Sequence, residues 1–400
     1  MNACLTIRLL TLLLSLSSGC HGQGNQPERE ATGKEIVGGP FENRELMYIG
    51  MPEPINAVDT SAGWHQTGQK LLITGTIYQP DGKTPAPDVV LYYYHTDVHG
   101  YYASQEGLDK RVARHGYIRG WVKSDAQGRY AIYTVRPAPY PNNTMPAHIH
   151  PAIQEPDIED AYYIDEFVFD DDVLLTSAKR QALENRGGSG VLRLVESGNL
   201  QIAEHDIILG LNIPHYPITV PPRIESGRRV GEDVLSFTPY HAWGPDKGSR
   251  TCPICRYGRH HGILYFVGNA PNWTDIRKWL RYLERESRQR GKYLKGYFIY
   301  GNDHAYNPKD RTTTLENLGK TLGLAHTALT LVPSFSDQVS DVYLNRINPT
   351  VESTLLLYRN RTIIDKFINL PPSPDNFDII SKRLDATRSE FADFPEPHPQ

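Results

Sequence analysis

The distribution of apolar residues changes once along this chain, near residue 233. Before that point, short β-branched and aromatic runs such as Lys70–Tyr78 and Arg129–Val135 are separated by turn sequences. This spacing is typical of an all-β sandwich. Beyond it, strand-like runs such as Gly262–Gly268 alternate with amphipathic segments such as Trp273–Arg290, a pattern that predicts an α/β fold. The chain is therefore expected to contain two domains of different fold classes.

The predicted domain boundaries follow from this change. A mainly-β sandwich is expected over residues 45–222 and an α/β domain over residues 233–392, joined by a linker over residues 223–232 and followed by a tail over residues 393–400. The linker is placed where prolines and glycines concentrate. In the second domain the order is βαβα and then ββα, which resembles a thioredoxin-like fold.

The N-terminus is interpreted as an export signal followed by a tether. Leu9–Leu16 is an apolar run too short to span a bilayer but suited to a signal peptide over residues 1–19. Leu16-Ser17-Ser18-Gly19-Cys20 resembles a bacterial lipobox, which implies cleavage before Cys20 and a lipid anchor in the membrane. Residues 20–44 are polar and glycine-rich, which predicts a flexible tether. We therefore expect a lipoprotein of the periplasm or cell envelope, with the outer membrane favoured; the alternative is a plain signal peptide with an incidental cysteine.

The charge balance excludes one class of partner. The chain has 42 basic and 46 acidic residues, for a net charge of −4. This composition indicates neither a nucleic-acid-binding surface nor a polybasic membrane surface. The oligomeric state stays open.

Two histidines give the first indication of a metal site. His148 and His150 are two residues apart, so on a strand both imidazoles point to the same face. Imidazole suits zinc, copper and iron. Tyrosine phenolates nearby would add hard, anionic donors that favour a trivalent ion. A set of two histidines and two tyrosines therefore predicts a non-haem ferric centre.

Residues 64–215 resemble the intradiol ring-cleavage dioxygenases, the family of catechol and protocatechuate dioxygenases. The segments that carry the resemblance, in chain order, are Gly100-Tyr101-Tyr102, Arg119-Gly120, Asp125–Tyr130, Tyr140-Pro141, Pro146-Ala147-His148-Ile149-His150 and Asp206–Pro214. The resemblance implies that Tyr102, Tyr140, His148 and His150 bind Fe(III). It also implies a mixed β-sandwich of transthyretin-like shape.

The same resemblance implies a reaction. A catechol-type substrate would bind the iron through both oxygens, displacing Tyr140, and react with O2. The ring bond between the two oxygen-bearing carbons would break, and a muconate-type product would retain both oxygen atoms.

The chain departs from the family pattern near the histidines. Family members usually have an arginine three residues before the first histidine, where this chain has Met145. Arg119 and Arg136 are candidates to replace its charge. A family glutamine corresponds to Glu166, which is interpreted as a base close to the iron or, equally, as a surface carboxylate.

The α/β domain contains one Cys-x-x-Cys motif. Cys252 and Cys255 supply only two metal ligands, and an oxidising compartment favours a disulfide. The motif precedes the strand Gly262–Gly268, whereas in thioredoxins it follows the first core strand. A structural disulfide and a regulatory or reductase dithiol both stay open.

Two further functions compete with the dioxygenase. One is a protein that binds catecholates or ferric iron without cleaving rings, which Met145 would explain. The other is a thiol-disulfide oxidoreductase that uses the β-sandwich as a docking module.

Overall fold

Two six-stranded sheets make up the N-terminal half. The computed structural model describes residues 36–142, 144–217, 224–304 and 306–397. In chain order the strands of this half are β1 (Val58–Thr60), β2 (Lys70–Tyr78), β3 (Val90–His95), β4 (Arg119–Lys123), β5 (Arg129–Val135), β6 (His148–Gln154), β7 (Tyr162–Tyr163), β8 (Phe167–Phe169), β9 (Val191–Leu192), β10 (Leu194–Ser197), β11 (Leu200–Glu204) and β12 (Ile207–Ile208). A short helix, α1 (Ser177–Gln181), lies between β8 and β9.

The two sheets pack face to face. The first has the order β1-β5-β2-β11-β10 with β12 beside β2, and the second has the order β4-β3-β6-β8-β9 with β7 beside β6. Among the described residues of this half, six of the ten strand pairs are antiparallel, and the four parallel pairs are β1–β5, β2–β11, β2–β12 and β8–β9. Leu71 and Ile73 of β2 share one buried cluster with Leu91 and Tyr93 of β3. The mainly-β sandwich predicted for this half is confirmed.

A third sheet organises the C-terminal half. Its order is β13-β16-β15-β14-β17-β18, in which β14, β15 and β16 are parallel and β13, β17 and β18 pair antiparallel. The elements of this half are β13 (Tyr240–Trp243), α2 (Pro253–Tyr257), β14 (His261–Val267), α3 (Trp273–Arg290), β15 (Leu294–Tyr300), α4 (Pro308–Leu322), β16 (Thr327–Leu331), β17 (Thr354–Arg359), β18 (Thr362–Ile368) and α5 (Pro374–Ala386).

Helices α3, α4 and α5 cover one face of the third sheet. In β14, Ile263 and Tyr265 join a cluster that includes Trp279 of α3, while Leu264 and Phe266 face a second cluster that includes Ile254 of α2 and residues of loops. The alternation of strand and helix agrees with the sequence pattern. The resemblance to thioredoxin-like proteins stays a prediction.

Strand β13 was not predicted from the sequence. It has only four residues, lies between Pro239 and Gly244-Pro245, and pairs at the sheet edge with β16. A four-residue run between such residues is typical of a loop, so only its pairing with β16 identifies it as a strand.

Most of the predicted linker from Ser226 to Glu232 packs between the two halves, whereas Ile224, Glu225 and Arg229 are exposed. Ser226 and Arg228 are buried, the Gly227 N–H donates to the carbonyl of Arg346, and the Ser189 N–H donates to the carbonyl of Gly231. Residues 36–400 accordingly form one compact unit by their contacts.

The described end of the predicted tether also packs on the sandwich. Phe41 contacts Tyr163 with ring centroids 3.8 Å apart, and the Gly38 N–H donates to the carbonyl of Pro214 at 2.8 Å. At the other end of the chain, the Glu196 N–H donates to the carbonyl of Pro395 at 2.8 Å. Apolar side chains and backbone pairing hold both segments, although their composition is polar. The predicted signal peptide and Cys20 lie outside the described residues.

Candidate metal centre

Strand β6 presents the two histidines on one face. It lies between β3 and β8, with His150 opposite Tyr94 and His148 opposite Val168. Ile149, between the histidines, belongs to the buried core of the sandwich. Because successive side chains of a strand alternate, His148 and His150 both point away from that core, as the spacing predicted.

Two loops bring the tyrosines to the histidines. Tyr102 follows β3 and Tyr140 precedes β6. Asp97 joins the loops, since its carboxylate accepts from the Tyr101 N–H at 3.0 Å and its backbone carbonyl accepts from the Ala138 N–H at 3.1 Å. Gly100, at φ +82°, allows the close approach: a Cβ there would lie 2.1 Å from the carbonyl oxygen of Pro139.

The four side chains converge through their donor atoms. Tyr102 Oη lies 2.6 Å from Tyr140 Oη and 2.8 Å from His150 Nε2, and Tyr140 Oη lies 3.2 Å from His148 Nε2. Ligands bound to one metal at about 2.0–2.1 Å, with angles of 90–120°, lie about 2.8–3.6 Å from each other. The two tyrosine–histidine separations fall in this range, so those pairs suit neighbouring ligands of a single ion. The two phenol oxygens, at 2.6 Å, are closer than this range and are at hydrogen-bond distance from each other.

Hydrogen bonds orient both imidazoles. His148 Nδ1 lies 2.8 Å from the carbonyl oxygen of Pro146 and so donates to it, which leaves Nε2 as an acceptor. His150 Nδ1 lies 3.1 Å from Glu166 Oε1. A carboxylate behind a histidine in this way fixes its tautomer and raises its basicity as a ligand. Of the two sequence interpretations of Glu166, these contacts favour a role next to the metal over a free surface carboxylate.

At neutral pH the two phenols would ionise only with a cation among the four donors. Burial raises the pKa of the Tyr102 phenol, and its hydrogen bond to Tyr140 raises that pKa further. Burial also raises the pKa of Tyr140, while burial and then the neighbouring His150 lower the pKa of His148. The protein alone thus keeps the phenols and His148 neutral. A highly charged cation would favour the phenolate forms, so the four donors fit Fe(III) by charge and by type.

A cavity of about 410 Å³ opens beside His150 and Glu166. We call it the metal-side cavity; it is lined by Glu42, Asn43, Tyr94, His115, His150, Pro151, Tyr163, Ile164 and Glu166. Its volume is in the range of small-molecule sites.

Tyr94 and His115 form a stacked column against His150. The rings of Tyr94 and His115 are 3.7 Å apart and nearly parallel, and those of Tyr94 and His150 are 4.6 Å apart. Burial lowers the pKa of His115 to about 4, so it is neutral near pH 7. Neither His115 nor His95 lies at the surface: His115 is in a turn, His95 ends β3, and both are at most 4% exposed. Only packing against Tyr94 could have revealed His115.

The two candidate arginines are engaged away from the four donors. Arg119 donates to the carbonyls of Leu46 and Ile49, and Arg136 makes a two-bond ion pair with Asp171 at 2.7 and 2.8 Å. Met145 is 40% exposed. A catalytic role of either arginine stays a prediction.

Cys252 and Cys255 form a disulfide at the start of α2. Cys255 is exposed, and β14 follows the motif as the sequence indicated. Among the described residues, no helix is both long enough and apolar enough to cross a membrane.

Comparisons with known proteins agree with the geometry in the N-terminal half. Residues 52–197 match the family model Dioxygenase_C, described as dioxygenase. The catechol 1,2-dioxygenase of Acinetobacter baylyi is 26% identical over 121 residues, which cover 26% of this chain and 38% of that protein. The hydroxyquinol 1,2-dioxygenase of Nocardioides simplex is 29% identical over 133 residues, which cover 33% of this chain and 41% of that protein.

These matches support a relationship of this segment to the intradiol dioxygenases. The chain spans about two fifths of the length of each of these relatives. The crystal structure of a hydroxyquinol 1,2-dioxygenase from Pseudomonas putida DLL-E4 is 22% identical, covering 45% of this chain and 67% of that chain, with a TM-score of 0.31. That score is too low to support an argument about the fold.

Proposed function

We propose that this chain is a non-haem Fe(III) dioxygenase that cleaves a catechol-type aromatic in the intradiol mode and incorporates both atoms of O2. The observation that supports it most strongly is the convergence of Tyr102, Tyr140, His148 and His150 on one point. When bound there, Fe(III) would hold the catecholate through both oxygens and make its ring susceptible to O2.

The protein's own residues would manage orientation and protons. Glu166 and the carbonyl of Pro146 hold the two imidazoles with Nε2 facing the phenols. With Fe(III) bound, Tyr140 would by motif order be the ligand that a catechol displaces, and its oxygen would accept one catechol proton. Tyr102 keeps its contact with His150 Nε2 at 2.8 Å.

The metal-side cavity is the proposed place for the substrate ring. Tyr94 and Tyr163 supply aromatic walls beside His150, and their hydroxyls are 3.3 Å apart. Pockets of this kind combine apolar walls with a few polar groups that set the orientation of a ligand.

We further propose that the protein is exported as an envelope lipoprotein, anchored through Cys20. The support is the apolar run Leu9–Leu16 followed by the lipobox-like segment. Intact-mass measurement of the membrane fraction should find a lipid on Cys20, and a Cys20→Ala variant should leave that fraction. A wild-type chain without lipid would contradict the anchor.

The activity is tested by anaerobic titration of the full-length, iron-quantified protein with catechols, followed by admission of O2. We expect a tyrosinate-to-iron absorption band that shifts on adding catechol and bleaches as a muconate forms. No band at one iron per chain would contradict the tyrosinate ligands and the proposal with them.

A second candidate is a catecholate- or iron-binding protein without turnover. The engagement of Arg119 and Arg136 by carbonyls and by Asp171 favours it, because neither guanidinium is then available to stabilise charge on the reacting ring. In the same titration, a band that shifts without product would identify this function.

A further inference from the structure

A second cavity, of about 240 Å³, lies between the two halves of the described chain. We call it the arginine cavity. Its lining includes six arginines and four carboxylate residues; the arginines are Arg193, Arg256, Arg259, Arg359, Arg361 and Arg388. The sandwich contributes Arg193, and the α/β half contributes the other five.

Three of these arginines are held by carboxylates. Arg359 pairs with Asp206 at 3.0 Å and Arg256 with Asp246 at 2.8 Å, while Arg193 pairs with Asp233. Carboxylates therefore already neutralise part of the charge of these three guanidinium groups.

The remaining three have weaker partners. Arg361 Nη1 lies 3.7 Å from Asp170, a carboxylate that Arg180 already contacts more closely, and Arg388 stacks over the ring of Tyr293 at 5.0 Å. Arg259 Nε lies 3.6 Å from Glu396, beyond hydrogen-bond distance.

Arg259 also has an unsatisfied donor. Its Nη2 atom is buried and has no hydrogen-bond partner among the described residues, and the same holds for Arg193 Nε. A buried donor without a partner is costly, and for a charged group the cost is greater. Both atoms have almost no accessible surface and so lie in the cavity wall. The side chains of Arg259, Arg361 and Arg388 line the cavity itself, where a negatively charged acceptor would give them a stronger partner.

We propose that the arginine cavity binds a small oxyanion that carries at least two negative charges. Guanidinium groups are planar donors that match carboxylate and phosphate oxygens in pairs. A phosphate and a short dicarboxylate share this chemistry. The site is independent of the proposed dioxygenase, because none of the four candidate iron ligands lines it.

The electrostatics of neighbouring groups agree with this assignment. Burial, then Arg259 and Lys292, lower the pKa of His260, and burial followed by Arg193 lowers the pKa of Arg361. Positive charge thus opposes further positive charge around His260 and Arg361. At Arg193 and Arg359 burial acts in the same direction, but the neighbouring carboxylates outweigh it and raise both pKa values. Glu396, in the C-terminal segment, supplies a carboxylate to Arg259, so it occupies part of the position that a bound anion would take.

The test is calorimetric titration of the full-length protein with inorganic phosphate and, separately, with succinate. We expect at least one of them to bind in the sub-millimolar range. Arg259→Gln and Arg361→Gln should each weaken binding about tenfold, the effect of losing one charge-assisted hydrogen bond. Binding of phosphate alone identifies a phosphate-bearing ligand, and binding of succinate alone identifies a dicarboxylate.

Two further variants separate binding from folding. Glu396→Gln should tighten binding, because it removes the competing carboxylate, and a misfolded protein could not produce that gain. Arg129→Gln, at an exposed arginine that pairs with Asp125 on the sandwich, should leave binding unchanged. If neither anion binds, or if Arg259→Gln binds as wild type does, the proposal is overturned.

Discussion

The metal-side cavity and the arginine cavity lie at opposite ends of one short stretch of chain. Glu166 lines the first and Asp170 and Asp171 line the second, with strand β8 between them. The first cavity is lined by phenol oxygens, imidazoles and carboxylates. The second is lined by six guanidinium groups and four carboxylates. The sandwich thus offers acceptors to a cation on one side, and on the other it meets the α/β half, which supplies five of the six arginines that could donate to an anion.

The difference shows how each cavity selects a ligand. Around the candidate metal centre, burial keeps the phenols neutral until a cation favours their phenolate forms. In the arginine cavity the charge is permanent, because guanidinium does not lose its proton in proteins. The phenols of the candidate metal centre can therefore lose their protons when a cation binds, whereas the guanidinium groups of the arginine cavity keep their charge.

The largest effect is expected at the point where the donors meet. Tyr102→Phe removes the one oxygen that contacts both Tyr140 and His150, so iron content and turnover should fall by more than about a hundredfold, beyond the usual loss for a residue behind a ligand. Tyr101→Phe, at a neighbouring tyrosine that is 59% exposed, is the control and should match wild type. Metal analysis and catechol turnover measure both. Wild-type iron content in Tyr102→Phe would remove Tyr102 from the ligands.

A smaller effect is expected behind His150. Glu166→Gln removes the carboxylate that holds Nδ1 at 3.1 Å, and iron affinity should fall about tenfold to a hundredfold. Glu184→Gln changes an exposed carboxylate elsewhere on the sandwich and serves as the control. Competition with a chelator measures the affinity. Equal iron affinities for the two variants would show that Glu166 does not contribute to iron binding.

The smallest effect concerns substrate charge. The metal-side cavity is lined by the carboxylates of Glu42 and Glu166 and, within the described chain, by neither lysine nor arginine. If the chain cleaves catechols, kcat/KM for 4-methylcatechol should exceed that for 3,4-dihydroxybenzoate about fivefold, as about 1 kcal/mol of repulsion predicts.

Removing one carboxylate sharpens this comparison of substrates. Glu42→Gln should lower the ratio of kcat/KM for 4-methylcatechol to kcat/KM for 3,4-dihydroxybenzoate. Glu45→Gln, at an exposed carboxylate that does not line the cavity, should leave this ratio unchanged. If the wild-type protein preferred the charged substrate, the proposed repulsion by the carboxylates of this cavity would be contradicted. The proposal of ring cleavage would not be affected.

Much of the fold could be predicted from periodicity. Strand Lys70–Tyr78 and helix Trp273–Arg290 have the predicted bounds, because each buries one regularly spaced set of apolar residues. Strand β13 and the packing of residues 224–232 could not be predicted, because both depend on partners distant in sequence. The burial of His115 in a turn could not be predicted for the same reason, since it depends on the ring of Tyr94 stacking over it.

The sequence by itself determined that His148 and His150 share a face, because the two-residue period of a strand is local. It also placed the dioxygenase-like motifs in the first half of the chain. The resemblance implied that Tyr102 and Tyr140 join those histidines, and the tertiary structure supplied their contacts. Only the tertiary structure decided that Glu166 lies behind His150 and that arginines from both halves enclose one cavity. These are contacts between residues far apart in the chain, and only the packing of sheets and loops sets their distances.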